Sequence, residues 1–288
     1  PFREFDDDKI LCLTAVKIDE KDGFTNHSKS VDLLPLIKSD TLDWEVPEGG
    51  KWKVYLLHLS RNMGYHRSYI NMMNHSSCKI LLDAVYEPHF EHYKEDFGKT
   101  IAGFFSDEPE LGNGHIYEMD DEFGKDIDYP WSDEVENELK KRLKSLSLLS
   151  LLWENDADPE LTAKVRYTYM DVITDLVKKD FSFQIGDWCR KHNVEYIGHL
   201  IEDNNHHSKT GCSLGHYFRG LSGQNMSGID DIGGQVYPQG EHDTYNNGAF
   251  QTRNGEFYHF LLGKLASSAA SIEPLKKGNS MCEIFGAY

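Results

Sequence analysis

Residues 194–207, VEYIGHLIEDNNHH, set His199, Glu202, Asp203, His206 and His207 directly behind a short apolar run. In a helix, His199, Glu202 and His206 would share one face at i, i+3 and i+7, in the manner of helical metal sites. In a strand running into a loop, the same residues, with Asn204 among them, would open onto a polar mouth. Ile197, Leu200 and Ile201 surround Gly198 straight after a helical pattern that closes at Lys191-His192-Asn193, where cations and an asparagine suit a C-terminus. A strand entering a loop is the better account. The HExxH signature is absent, so zinc fits poorly, whereas an oxygen-rich Ca²⁺ site is easier to assemble from Asp, Asn and Glu. The stretch reads as a catalytic mouth.

Other apolar runs end the same way. TIAGFFSDEPE finishes in Asp107, Glu108 and Glu110, SGIDDIGGQV carries Asp230 and Asp231, and SMCEIFGAY carries Glu283. In parallel α/β folds the C-terminal ends of strands converge on one side, and active sites form there. Carboxylates gathered at one mouth repel unless a sugar, a proton or a cation compensates. That arrangement suits glycoside hydrolysis, in which one carboxyl protonates the leaving oxygen and another serves as base or nucleophile. Taken singly, each acid has a plainer role: Asp107 and Asp203 are placed to cap the segments after them.

The scaffold behind these residues can be read from the surrounding pattern. The first sixty residues are β-rich: KILCLTAVKI is a strand, and DWEVPEGGKWKVYLLHLS predicts a hairpin turning at Pro47-Glu48-Gly49-Gly50. Beyond residue 70, helices alternate with short apolar strands. Ser76-Ser77 leads a helix towards Phe97 that Pro88 divides, Ser132 caps a charged helix to Leu143, and Asn254 caps another. Asp158 and Pro159 open the clearest helix, with Leu161, Val165, Tyr169, Val172 and Leu176 on its apolar face. Alternation of this kind predicts a parallel sheet with right-handed crossovers, either open or closed. No GxGxxG opens a helix after a strand and no P-loop occurs, which argues against nucleotide chemistry.

The net charge of −18 argues against nucleic-acid or anionic-membrane partners. No apolar run reaches the roughly 18 residues that span a bilayer. Five scattered cysteines without a CxxC pair indicate neither a zinc knuckle nor a disulfide framework. The chain begins at Pro1 and stops just after the Glu283 run, so a piece of a longer polypeptide is expected.

TIAGFFSDEPE, VEYIGHLIEDNNHH, LGHYFRGLSGQNMSGIDDIGGQ and SSAASIEPLKKGNSMCEIFGAY, in that order, resemble the barrel of bacterial α-L-rhamnosidase-like glycoside hydrolases (glycoside hydrolase family 106 and relatives). The resemblance implies a (β/α)8 TIM-type barrel over residues 65–288, incomplete at its C-terminal end, with residues 1–64 as a β-rich segment preceding or inserted in it. It implies cleavage of a carbohydrate substrate in plant or bacterial polysaccharide, by inversion and with Ca²⁺ assisting. By the family's F-x-D-x-x-E strand it selects Glu110 as general acid, with Glu108 the alternative that the DEP sequence offers. It points to Glu283 as base and to Glu202 as a further acid at the sugar. Asp107, His199, Asp203, Asn204, His206, His207 and Asp230 are the expected substrate-binding residues; no residue is assigned to a resident metal. The run from Asn204 to His207 departs from the rhamnosidase pattern. Two other readings stand beside this one: a carbohydrate-binding barrel without turnover, and a metal-dependent hydrolase centred on His199, His206 and His207. The compartment, bacterial periplasm or cytoplasm, and the oligomeric state are not set by the sequence.

Overall fold

The computed structural model describes residues 8–39, 41–60, 69–111, 128–200, 215–231, 236–247 and 250–284. The chain divides into two compact units. The first contains the described residues within 1–63, 122–129 and 136–172. Its strands are β1 (Lys9–Ile18), β2 (Thr25–Asp32), the two-residue strands β3 (Ile37–Lys38) and β4 (Thr41–Leu42), and β5 (Trp52–Leu59). β1 lies between β2 and β5, antiparallel to both, and β3 pairs with β4. Cys12 to Val16 of β1 are buried without a break, as a central strand demands. Leu13 and Ala15 pack with Leu33 into a small core that Val31, Ile37, Leu42, Trp44, Trp52 and Leu56 cover.

The predicted hairpin at Pro47–Gly50 is not formed. Its second arm is β5, but β5 runs along β1, with Lys17 opposite Trp52 and Lys9 opposite Leu59. Pairing with β1 buries Trp52 and Leu56 against the Leu13–Ala15 face. The short first arm, with Asp43 and Glu45 between its apolar residues and Pro47 at its end, has little to offer in exchange.

A buried staple joins β2 to the segment before the long helix. His27 Nδ1 lies 2.7 Å from Asp156 Oδ2, and its Nε2 lies 2.9 Å from Ser150 Oγ. Ala157 N donates to Thr25 O at 2.7 Å in the same place. The Ser–His–Asp line has the connectivity of a nucleophilic triad. Ser150 is fully buried, however, so no substrate carbonyl reaches its hydroxyl. The line is structural.

The second unit contains the described residues within 64–121, 130–135 and 173–288. Among the described residues the α-helices, in order, are α1 (His75–Leu81), α2 (Glu87–Tyr93), α3 (Asp133–Leu143), α4 (Pro159–Leu176), α5 (Gln184–Lys191), α6 (Tyr217–Gly220) and α7 (Gly263–Ile272). Ser132 Oγ accepts from Val135 N, and Asp158 Oδ1 accepts from Glu160 N and Leu161 N, so both predicted caps are made. α1 is capped by Asn74, whose Oδ1 takes Ser77 N at 2.8 Å, rather than by Ser76 or Ser77. Pro88 falls in the first turn of α2, after a wide π-helical turn at Leu82–Tyr86.

The remaining strands are β6 (Gly103–Ser106), β7 (Glu195–Gly198), β8 (Ser227–Asp231), β9 (Thr244–Asn247), β10 (Phe250–Asn254) and β11 (Ser280–Ile284). β6 and β7 pair in parallel, as do β8 and β11, while β9 and β10 form an antiparallel ribbon. The expected closed (β/α)8 barrel is therefore not present among the described residues, whose sheets hold two or three strands each. The reason lies in how the chain is used between Ser106 and Glu195. Helix is continuous from Pro159 through a π-helical turn at Val177–Phe183 to Lys191, and no strand is described there. Alternating helix and strand signals establish parallel pairing but not the strand number that closure requires.

β6 and β7 present two distinct faces. Phe104 stacks on Tyr86 at 4.2 Å between ring centroids and meets Trp188 edge-on at 5.8 Å, so the π-helical turn before α2 and helix α5 cover that side. Phe105 points the other way, towards His199, at 5.5 Å between ring centroids. The second face carries the candidate site.

Candidate functional site

Register delivers the site. Ser106 lies opposite Gly198 in the β6–β7 pair, so the next residues, Asp107 and His199, emerge side by side. Asp230 lies opposite Glu283 in the β8–β11 pair. Gly198 lets β7 lie close against β6, and Gly228 lets the two pairs meet. A Cβ on Gly198 would stand 2.2 Å from Ser106 O, and a Cβ on Gly228 would stand 1.7 Å from Gly198 O. Neither position has room for a side chain.

His199 sits at the centre of the site. It is completely buried, with Nε2 2.9 Å from Glu283 Oε2 and 3.2 Å from Asp107 Oδ1. The carboxylates are open to solvent, the Asp107 side chain being 73% exposed and that of Glu283 42%. Polar atoms of His199, Asp230 and Glu283 lie within 4.8 Å of one another, as do those of Asp107, Glu108 and His199. Asp230 is buried, whereas Glu108 is partly exposed and holds a φ of 39°. That left-handed conformation costs a non-glycine residue about 1–2 kcal/mol, and strain of this sort clusters at functional sites.

Hydrogen-bond chemistry constrains the protons. His199 Nδ1 lies 3.0 Å from Leu200 O, and a carbonyl only accepts, so Nδ1 carries a hydrogen. Nε2 then faces two carboxylate oxygens. The contact is attractive in three states: an imidazolium donating to the carboxylates, a protonated carboxyl donating to Nε2, or a cation lying between them. An Nδ1–H bound to a backbone carbonyl is also how a metal-binding imidazole is oriented. His199 with Asp107 and Glu108, or His199 with Asp230 and Glu283, thus fits a divalent cation. A nitrogen at the heart of the set suits a borderline ion such as Zn²⁺ or Mn²⁺ at least as well as Ca²⁺, which takes oxygen ligands.

Glu110 belongs to neither group. Burial pushes its carboxyl up from 4.5 to about 7, the range of a general acid working near neutral pH. Of the residues singled out from sequence, Asp107 and Glu108 are brought to His199 in one group, and Asp230 and Glu283 are brought to it in another. Glu202, Asp203, Asn204, His206 and His207 lie outside the described residues. Sequence reasoning missed two residues that hold the site from behind. Asn225 N donates to Tyr196 O at 2.7 Å while its Oδ1 accepts Tyr196 N at 3.0 Å, tying the approach to β8 onto β7. Lys276 is the other; in LKKG it has the look of an exposed surface lysine, and no local signal marks it.

Family models and curated proteins gave no match to this sequence. Among solved structures, the chain is similar to a rhamnosidase from Novosphingobium sp. PP1Y, with a TM-score of 0.55 and 14% sequence identity. The likeness covers 88% of this chain and 22% of that chain, about a fifth of its length. At this identity it is a likeness of fold: the chain has a rhamnosidase-like fold over the matched region.

Proposed function

We propose that this chain carries the carboxylate centre of a glycoside hydrolase. The observation that carries the reading is a wholly buried imidazole held between two solvent-open carboxylates, Glu283 and Asp107, from the ends of two parallel pairs. Glu283, oriented by His199, activates water or attacks the anomeric carbon. Glu110, kept protonated near neutral pH by its burial, gives its proton to the departing oxygen. Asp107 and Glu108 hold sugar hydroxyls at the rim. The likeness to a rhamnosidase supports a deoxyhexose such as α-L-rhamnose as the glycone. The test is release of nitrophenol from a panel of aryl glycosides, α-L-rhamnoside included. Cleavage of one sugar class supports the proposal. Binding of sugars without cleavage of any would assign a recognition module instead.

A second reading has its own observation, the Nε2 lone pair that neutral His199 would aim at carboxylates. A divalent cation held by His199, Glu283 and Asp230 would supply Lewis acidity to a bound oxygen. Activity abolished by a chelator and restored by one metal would move the assignment from a carboxylate pair to a metal-assisted hydrolase.

A further inference from the structure

We propose that Lys276 is the positioning residue of this centre: its buried ammonium pins the loop from which β8 departs, and so holds Asp230, Glu283 and His199 together. The inference rests on the glycosidase reading for its kinetic readout alone.

Lys276 lies in the turn that leads to β11 and is 1% exposed, among the largest fully buried side chains of the described residues. Its Nζ donates to Leu221 O at 2.6 Å and Gln224 O at 3.0 Å, with Met226 O at 3.5 Å. A lysine has three donors, and here they meet three carbonyls of one loop. A buried ammonium is costly unless its hydrogen bonds are made, so the loop must keep the carbonyls in place for the charge to be tolerated. Burial pulls the ammonium down from 10.5 to about 8, and of its charged neighbours Glu273 favours the charge while Arg190 opposes it.

The loop is a junction of three of the four strands that build the centre. Asn225 ties it to Tyr196 of β7, three residues before His199. β8 starts at Ser227, whose N donates to Asn279 O at 3.2 Å, while Asn279 N donates to Lys276 O at 2.8 Å. Arg190 Nη1 reaches Gly223 O from α5 at 2.8 Å. Backbone and side chain of Lys276 thus grip the loop from the β11 side, and Asn225 grips it from the β7 side. A loose loop would let β8 slip against β11 and part the Asp230–Glu283 pair from His199.

The test uses Lys276→Met, which keeps the buried stem and removes the donors, and Lys276→Ala prepared with and without propylammonium. Three readouts are taken: amide hydrogen exchange at Asn225, Ser227 and the β8–β11 ladder, the ¹⁵N signal of the His199 ring, and kcat and KM. With the far-UV spectrum retained, Lys276→Met should lose at least about tenfold in exchange protection at these amides. The His199 signal should shift, and kcat should fall about 100-fold with KM little changed, the effect of a misplacement of about 1 Å. Propylammonium should restore the His199 signal in Lys276→Ala. A folded Lys276→Met protein with wild-type protection and an unmoved His199 signal overturns the proposal. So does Lys276→Ala that stays unfolded or displaced in propylammonium. Should the wild-type protein cleave no glycoside, exchange and the ring signal still decide the role of Lys276, and only the glycosidase reading falls.

Discussion

Replacing Glu110 by Gln makes a sharp thermodynamic prediction. The carboxyl is raised from 4.5 to about 7 by burial, so the native state binds its proton more tightly than the unfolded chain does. The sign comes from that ordering. The stabilisation is full below 4.5 and is lost as pH rises through about 7. At about 1.4 kcal/mol per pH unit over that interval, ionising Glu110 costs the wild type up to about 3 kcal/mol relative to its acid form. Glutamine, neutral and similar in shape, loses nothing with pH. Urea unfolding followed by tryptophan fluorescence, for wild type and Glu110→Gln between about pH 4.5 and pH 8.5, gives the difference in unfolding free energy. Other carboxylates titrate alike in both proteins and cancel. The difference should move by about 3 kcal/mol in favour of Glu110→Gln as pH rises. A difference constant within about 0.5 kcal/mol would show that Glu110 is not buried as described, and would remove it as the acid.

Asp156→Ala should destabilise the first unit by about 3–5 kcal/mol, because it strips a buried histidine of its partner; a loss below about 1 kcal/mol in a urea titration would contradict the staple. Burial would raise the Asp156 carboxyl, but hydrogen bonds from Asp158 and His27 outweigh it and hold it below its usual range. That contribution is full above 3.8 and fades as pH falls through the lowered value. Gly198→Ala must displace Ser106 O, 2.2 Å from the new methyl, and should cost about 3 kcal/mol with loss of the His199–Asp107 contact; a wild-type melting curve would refute the close approach. If the centre binds a divalent cation, protein freed of metal should gain about 2.7 kcal/mol of stability at a hundredfold excess over Kd, and His199→Ala should abolish the gain. Equal gains in both proteins would place the ion elsewhere.

Short-range physics accounts for what sequence reasoning reached. The apolar runs before the acidic clusters are strands β6, β7, β8 and β11, because a few apolar residues bounded by polar ones have few other ways to be buried. Ser132, Asp158 and Asn254 cap their helices since capping is decided within three residues. Long-range choices are a different matter. β5 had two possible partners, and the buried face of β1 decided between them. Strand number was invisible to an alternation of signals, hence the expected barrel that the described residues do not form. His199 was recognisable as polar and well placed, but its burial depends on the backbone meeting of Gly198 and Gly228. Lys276 and Lys277 are indistinguishable as letters; one is buried under a loop and the other exposed.

The proposed function turns on Glu283 acting upon a bound sugar. Its most direct test is kcat and KM of Glu283→Gln beside wild type, on the aryl glycoside that wild type cleaves best. Glutamine keeps the shape and a contact to His199 but can neither take a proton from water nor attack carbon. The expected result is a fall in kcat of about 1,000-fold or more with KM within a few fold, since the interaction lost belongs to the transition state. A Glu283→Gln protein that turns over at close to the wild-type rate would place the chemistry elsewhere in the chain.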